Sequence, residues 1–198
     1  MRIIGGTARG RAIEAPEGKD TRPTLDRVRE NLFNIIRHDV YDARVLDLFA
    51  GSGALSFEAL SRGAASAVLV DRDRAAHLCE KKNAEKLGMA DRARLLLIDW
   101  TEALCRLRQE DAHFDLVFLD PPYAMQDLTE PTRALLPLLT QEALLVVEHR
   151  AGTPSLVAEG YTLVDSRHYG IAGLSLYRLA AEGGPWNVSP STPAASTL

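Results

Sequence analysis

From Arg44 onward, short apolar runs alternate with stretches whose apolar positions recur every three or four residues. Val45 to Leu48, Ala67 to Val70, Ala93 to Ile98, Phe114 to Leu119 and Leu144 to Val147 have the length and near-continuous apolarity of buried strands. Between them, Ala54 to Ser61, Arg74 to Leu87, Thr101 to Gln109 and Leu128 to Leu139 carry helical spacing. Such alternation predicts a parallel sheet with helices on both faces. The end of the pattern differs. Tyr161 to His168 and Leu174 to Leu179 are separated only by Tyr169 to Gly173, too short for a helical crossover, so these two runs are expected to pair antiparallel. The result is a doubly wound, seven-stranded, mostly parallel α/β sheet of Rossmann-like type, with its ligand at the carboxyl ends of the strands.

Ahead of this unit, Arg2 to Ile4 and Arg9 to Ile13 flank Gly5-Gly6-Thr7-Ala8 and read as a hairpin. Leu25, Val28, Leu32, Phe33, Ile35 and Ile36 then recur at helical spacing behind Pro23-Thr24, with Arg22, Asp26 and Arg29 assigned to the outer face. From Gly183 the chain loses all apolar periodicity and reads as a disordered tail. The expected organisation is a basic hairpin-and-helix extension over residues 1–40, a catalytic domain over 41–181 and a tail over 182–198.

Composition narrows the partners. The net charge of −4 is unevenly spread: residues 1–37 hold eight Lys/Arg against five acids, leaving −7 for the remainder. Arg2, Arg9 and Arg11 precede the first acid, and together with Arg22 they are candidates for holding a phosphate backbone. A solvated basic surface is the competing reading. The apolar runs are too short for a bilayer and no signal-peptide pattern opens the chain, so a soluble, cytoplasmic protein is expected, with no membrane partner. Cys79 and Cys105 lack metal-ligand or disulfide spacing and read as packing residues; no metal is expected.

The candidate chemistry sits where the strands end. Asp47-Leu48-Phe49-Ala50-Gly51-Ser52-Gly53 follows a strand and opens a helix. The third glycine of a dinucleotide fingerprint is replaced by Ser56, and an acid begins the loop. An acid there suits the ammonium of a bound amino acid better than a pyrophosphate, which favours S-adenosyl-L-methionine over NAD. Asp47, Phe49, Gly51 and Gly53 are therefore cofactor candidates. Asp71 closes the next strand, where a carboxylate can accept both ribose hydroxyls, with Asp73 as an alternative. Asp99 and Trp100 follow the third strand and suit an adenine amino group and an aromatic wall, although Asp99 also reads as a helix N-cap. Asp120-Pro121-Pro122-Tyr123 follows the fourth strand. A carboxylate from Asp120 and a carbonyl from Pro121 can accept both hydrogens of an exocyclic base amine, whose lone pair is otherwise delocalised, while Tyr123 stacks on the base.

At the level of motifs, the chain resembles known enzymes. Asp47 to Gly53 is similar to the cofactor motif of class I methyltransferases, and Asp120 to Tyr123 resembles the (Asp/Asn)-Pro-Pro-(Tyr/Phe) motif of amino methyltransferases. Arg2 to Gly6, Arg9 to Arg11, Thr21 to Glu30 and Asp47 to Leu55 together resemble the RsmD family over about residues 1 to 180. The resemblance implies the class I fold and transfer of a methyl group to N2 of a guanine in 16S ribosomal RNA, within a small-subunit particle, by a monomer without an obligate protein partner. Asp71 stands where the family frequently has Glu, a change that keeps the hydrogen bonds. Two other readings remain open at this point: a DNA adenine-N6 methyltransferase, and an assembly factor that binds RNA without catalysis.

Overall fold

The computed structural model describes residues 1–16, 23–122, 124 and 125, 127–152 and 156–180. Its centre is a seven-stranded sheet built from β1 (Arg44–Asp47), β2 (Ser66–Asp71), β3 (Ala93–Leu97), β4 (Phe114–Leu119), β6 (Leu139–Arg150), β8 (Tyr161–Tyr169) and β9 (Ala172–Leu179), in the order β3-β2-β1-β4-β6-β9-β8. Strands β3 through β6 run parallel, and β9 pairs antiparallel with both β6 and β8. The strand order reverses between β1 and β4, which opens a crevice at their carboxyl ends.

Strand alternation makes two cores. Val45, Leu116, Phe118, Leu144 and Val146 face one side, while Leu46, Val117, Leu119, Leu145 and Val147 face the other. Both sides are covered by helices: α1 (Pro23–Ile35), α2 (Arg37–Val40), α3 (Ala54–Ser61), α4 (Arg74–Leu87), α5 (Trp100–Gln109) and α6 (Thr129–Leu135). Burial on both faces explains why the strands read as continuous apolar runs. No described helix is long and apolar enough to cross a membrane.

Several expectations need correction. The helix expected over Leu128 to Leu139 stops at Leu135 and passes through a short 3-10 turn, Leu136–Leu138. Pro137 has no N–H for the helical ladder and its ring opposes the preceding turn, so β6 starts at Leu139 rather than Leu144. A two-stranded parallel pair, β5 (Asp127–Leu128) with β7 (Leu156–Val157), went unread because strands this short leave no period. Arg29 lies inward, only 6% exposed. It stands three residues before Leu32 and four before Phe33, within the apolar stripe of α1. Cys105 is exposed and Cys79 partly so, since the buried stripe of α5 is Ala103, Leu104 and Leu107.

The N-terminal ribbon is held differently from an ordinary hairpin. One antiparallel bridge joins Arg2 to Ala12, supported by Ile3 N–H to the Arg11 carbonyl and Ile13 N–H to the Met1 carbonyl at 3.0 and 3.1 Å. Beyond it, the Ile4 and Gly5 N–H groups donate to the buried Glu58 carboxylate of α3 at 2.7 and 2.8 Å. Gly6 has φ +73°, and a Cβ there would lie 1.8 Å from the Ser61 carbonyl oxygen. These glycines let the ribbon lie against the end of α3, a closer approach than a turn requires. Ile3, Ala8 and Ile13 share one core with α1 and the sheet. The Arg22 position and the expected tail lie outside the described residues.

Candidate active site

The crevice between β1 and β4 holds a cavity of about 160 Å³. Asp47, Phe49, Ala50 and Gly51 form one side, Asp120 and Glu148 another, and Met1, Pro16, Val28, Arg29 and Leu32 close it from the N-terminal segment. The ribbon and α1 thus wall the site. A buried side chain ties the two parts together: Asn83 of α4 donates to the carbonyls of Ser52 and Glu14, each at 2.9 Å, and accepts from Glu14 N–H at 2.8 Å.

Asp47, the last residue of β1, is 1% exposed. Its Oδ2 accepts from the Ser56 hydroxyl at 2.9 Å, and its Oδ1 has no hydrogen-bond partner. Burial pushes its carboxyl up to about 7, with the Ser56 hydroxyl and the Phe49 backbone N–H pulling the other way and Asp120 and Asp71 adding to the rise. A buried carboxylate oxygen without a partner is costly, and a cationic ligand in the cavity would offset that cost. The donor set therefore fits the ammonium of an amino-acid cofactor.

Asp71 ends β2 and turns toward the glycine loop. Its two oxygens accept from Gly51 N–H at 2.9 Å and Asp73 N–H at 2.8 Å, leaving further lone pairs on each. Asp73 is engaged as the N-cap of α4, accepting from Ala75 N–H. Asp99 caps α5 through Oδ1, accepting from the Thr101 N–H and hydroxyl at 3.0 and 2.9 Å, while Trp100 packs on the sheet face beside it. These groups stand along the same edge of the sheet, outside the cavity that Asp47 and Asp120 share. Gly53 needs its missing side chain for packing: a Cβ would meet the Phe57 ring at 2.5 Å and Leu69 at 2.7 Å. Gly51 lines the cavity itself.

Asp120 follows β4 and faces the cavity; Pro121 is buried and Pro122 exposed. Met125 N–H donates to the Pro122 carbonyl at 2.8 Å and closes the turn. Tyr123 lies outside the described residues. The geometry therefore joins a carboxylate suited to an ammonium with a carboxylate suited to an amine acceptor in one pocket.

A family model described as "Conserved hypothetical protein 95" matches residues 1–178. "Ribosomal RNA small subunit methyltransferase D" of Escherichia coli K12 is 41% identical over 188 residues, 92% of this chain and 92% of that protein. The chain belongs to the RsmD family. The relative of the same description from Haemophilus influenzae is 35% identical over 181 residues, covering 90% and 93% of the two chains. The solved structure of Escherichia coli yhhF superposes with a TM-score of 0.77 at 39% identity, covering 92% of this chain and 99% of that one. This RsmD-family chain is a methyltransferase with the class I fold.

Within the family frame, the arginine candidates separate. Arg2, 70% exposed and 3.9 Å from Asp26, and the exposed Arg9 line a second groove of about 540 Å³ together with Arg27, Asp26 and Glu30. Arg11 instead donates to the carbonyls of Lys86 and Leu87 at the end of α4, where a cation complements the helix terminus. Motif reading missed Arg29, Asn83 and Glu148. Arg29 was detectable as a charge inside an apolar stripe. Glu148 follows the apolar run Leu144 to Val147 in the way Asp120 follows β4.

Proposed function

We propose that this protein transfers a methyl group from S-adenosyl-L-methionine to the exocyclic N2 of a guanine in small-subunit ribosomal RNA. The observation that carries the reading is the joint placement of Asp47, with its unpartnered buried oxygen, and Asp120 in one cavity at the switch point of the sheet. The cofactor supplies an electrophilic methyl on its sulfonium. Asp47 would hold the ammonium, Asp71 the ribose hydroxyls, and Asp99 and Trp100 the adenine; Asp99 Oδ1 serves the helix cap, and Oδ2, 3.8 Å from the exposed Arg72 guanidinium, keeps lone pairs for the base amine. Asp120 and the Pro121 carbonyl accept the two N2 hydrogens and draw the nitrogen toward pyramidal geometry, and Tyr123 stacks on the base. With the cofactor bound, its sulfonium would give up the methyl group to N2, and Asp120 or solvent would take the proton that N2 releases. Positioning of the two reactants is the main contribution.

The RNA-facing element is the ribbon, whose groove carries Arg2, Arg9 and Arg27 against Asp26 and Glu30, with Arg2 3.9 Å from Asp26, so the exposed Arg9 and Arg27 are its freest cations for a phosphate. The names of the RsmD relatives support the small-subunit substrate. The test is to compare small-subunit RNA from cells with and without the gene by mass mapping of N2-methylguanosine, then restore the modification with purified protein and cofactor. One guanine should lose its methyl group in the deletion and regain it in vitro. Asp120→Ala should lower turnover on the order of 100-fold or more while cofactor affinity changes little. Turnover within a few-fold of wild type would remove Asp120 from the mechanism.

A further inference from the structure

We propose that Glu148 reads the target base, its carboxylate accepting the N1–H of the guanine while Asp120 holds the N2 amine. The inference rests on the guanine-N2 reading above and adds a residue that selects the base. Strands β4 and β6 are parallel neighbours in the register Phe118 to Val146 and Leu119 to Val147. One step further along each strand stand Asp120 and Glu148, and both line the same cavity. Adjacent strands lie about 4.8 Å apart, so the two acids form a side-by-side pair of acceptors.

That pairing matches one base edge. Guanine presents N1–H and N2–H as neighbouring donors on its Watson–Crick edge. Adenine presents an amine beside the N1 lone pair, which a carboxylate in Glu148's place would repel. The Asp-Pro-Pro-Tyr element alone can hold any exocyclic amine, whereas the second acid requires a donor next to it. Glu148 is costly where it stands: burial and the charge of Asp120 push its carboxyl up to about 8. Its rung partner on the other side is Leu174, which offers it no polar side chain. Arg29 and Asp47 are the other charged side chains lining the cavity, and Met1, which bears the α-amino group, lines it too. A ligand N–H between the acids relieves part of the cost.

The probe is small-subunit RNA ligated around a synthetic segment that carries either guanosine or 2-aminopurine ribonucleoside at the mapped position. 2-Aminopurine keeps the exocyclic amine and replaces N1–H with a lone pair. At about pH 8, where Glu148 is partly ionised and the guanine N1–H is intact, the wild-type protein should favour guanosine in kcat/KM by on the order of 10- to 100-fold. Glu148→Gln can turn its amide to donate to N1 of 2-aminopurine, and Glu148→Ala removes the repulsion. Each should shrink the preference at least about fivefold. The Gln variant mimics the protonated carboxyl in shape, and titration with S-adenosyl-L-methionine checks that the variants are folded. A guanosine preference in Glu148→Gln equal to that of wild type overturns the proposal while leaving the guanine-N2 reading intact. Absence of any wild-type methylation of the guanosine segment overturns both.

Discussion

Asp47 and Ser56 together explain why the glycine loop departs from a dinucleotide fingerprint. Where that fingerprint has its third glycine, Ser56 places a hydroxyl 2.9 Å from the Asp47 carboxylate and leaves Oδ1 for a ligand. If Asp47 holds the cofactor ammonium, binding requires its ionised form, and its value of about 7 sets the window. Affinity for S-adenosyl-L-methionine should rise by up to about tenfold per pH unit below 7 and fall again above roughly pH 8, where the cofactor's own ammonium loses its proton. Asp47→Asn should bind more weakly and lose most of that slope. Calorimetric titration of both proteins across this range checks the expectation, and an unchanged slope in the Asn variant would assign the pH dependence elsewhere.

At the scale of elements, the ribbon and α3 act as one piece. Glu58 is fully buried yet accepts from Ile4 N–H, Gly5 N–H and Arg62 Nε, the last at 2.7 Å, with Arg29 Nε 3.9 Å away. Burial lowers the Arg29 pKa, while Glu58 and Asp26 counteract it. Removing the carboxylate strands two backbone donors and the Arg62 Nε, and leaves the buried Arg29 with Asp26 and the Arg2 carbonyl as its remaining partners. Glu58→Ala should therefore cost about 3–5 kcal/mol in urea unfolding. Hydrogen exchange should show where: the Ile4 and Gly5 amides should lose protection while those of β1 and β4 keep theirs. Equal loss everywhere would mean that Glu58 supports the whole fold rather than docking the ribbon. Since Met1 and Pro16 wall the cavity, loosening the ribbon should also lower turnover.

Across the whole molecule, the carboxylates of the catalytic edge are set against buried acids beneath them. Glu80 of α4 is fully buried with both oxygens unpartnered, faces His77 at 3.5 Å, and is pushed from 4.5 up to about 8 by burial and by Asp47 and Asp71. A carboxyl raised in the folded state gives its full contribution below its unfolded value, and that contribution is lost as pH climbs through the folded one. Stability should therefore decline between roughly pH 4.5 and 8. Glu80→Gln should flatten this decline and exceed wild-type stability at about pH 9 by at least ~1 kcal/mol. Urea midpoints at acid and alkaline pH measure the difference, and parallel curves would refute the assignment. How much of this was legible beforehand follows from the range of each interaction. The α/β alternation, the antiparallel final pair and the acids at strand ends are local signals, because strand and helix periods and turn residues act over a few positions, and Ala54–Ser61 and Arg74–Leu87 appear with the bounds their sequence suggests. Pro137 was local too, but a long apolar stretch masked it. Only the tertiary structure decided that Glu58 holds the ribbon, that Arg11 is engaged by α4 while Arg2 and Arg9 face a groove, and that Glu148 stands beside Asp120. Those pairings join residues tens of positions apart, and what sets them is the register of neighbouring strands and the burial of charge, neither of which leaves a period in the chain.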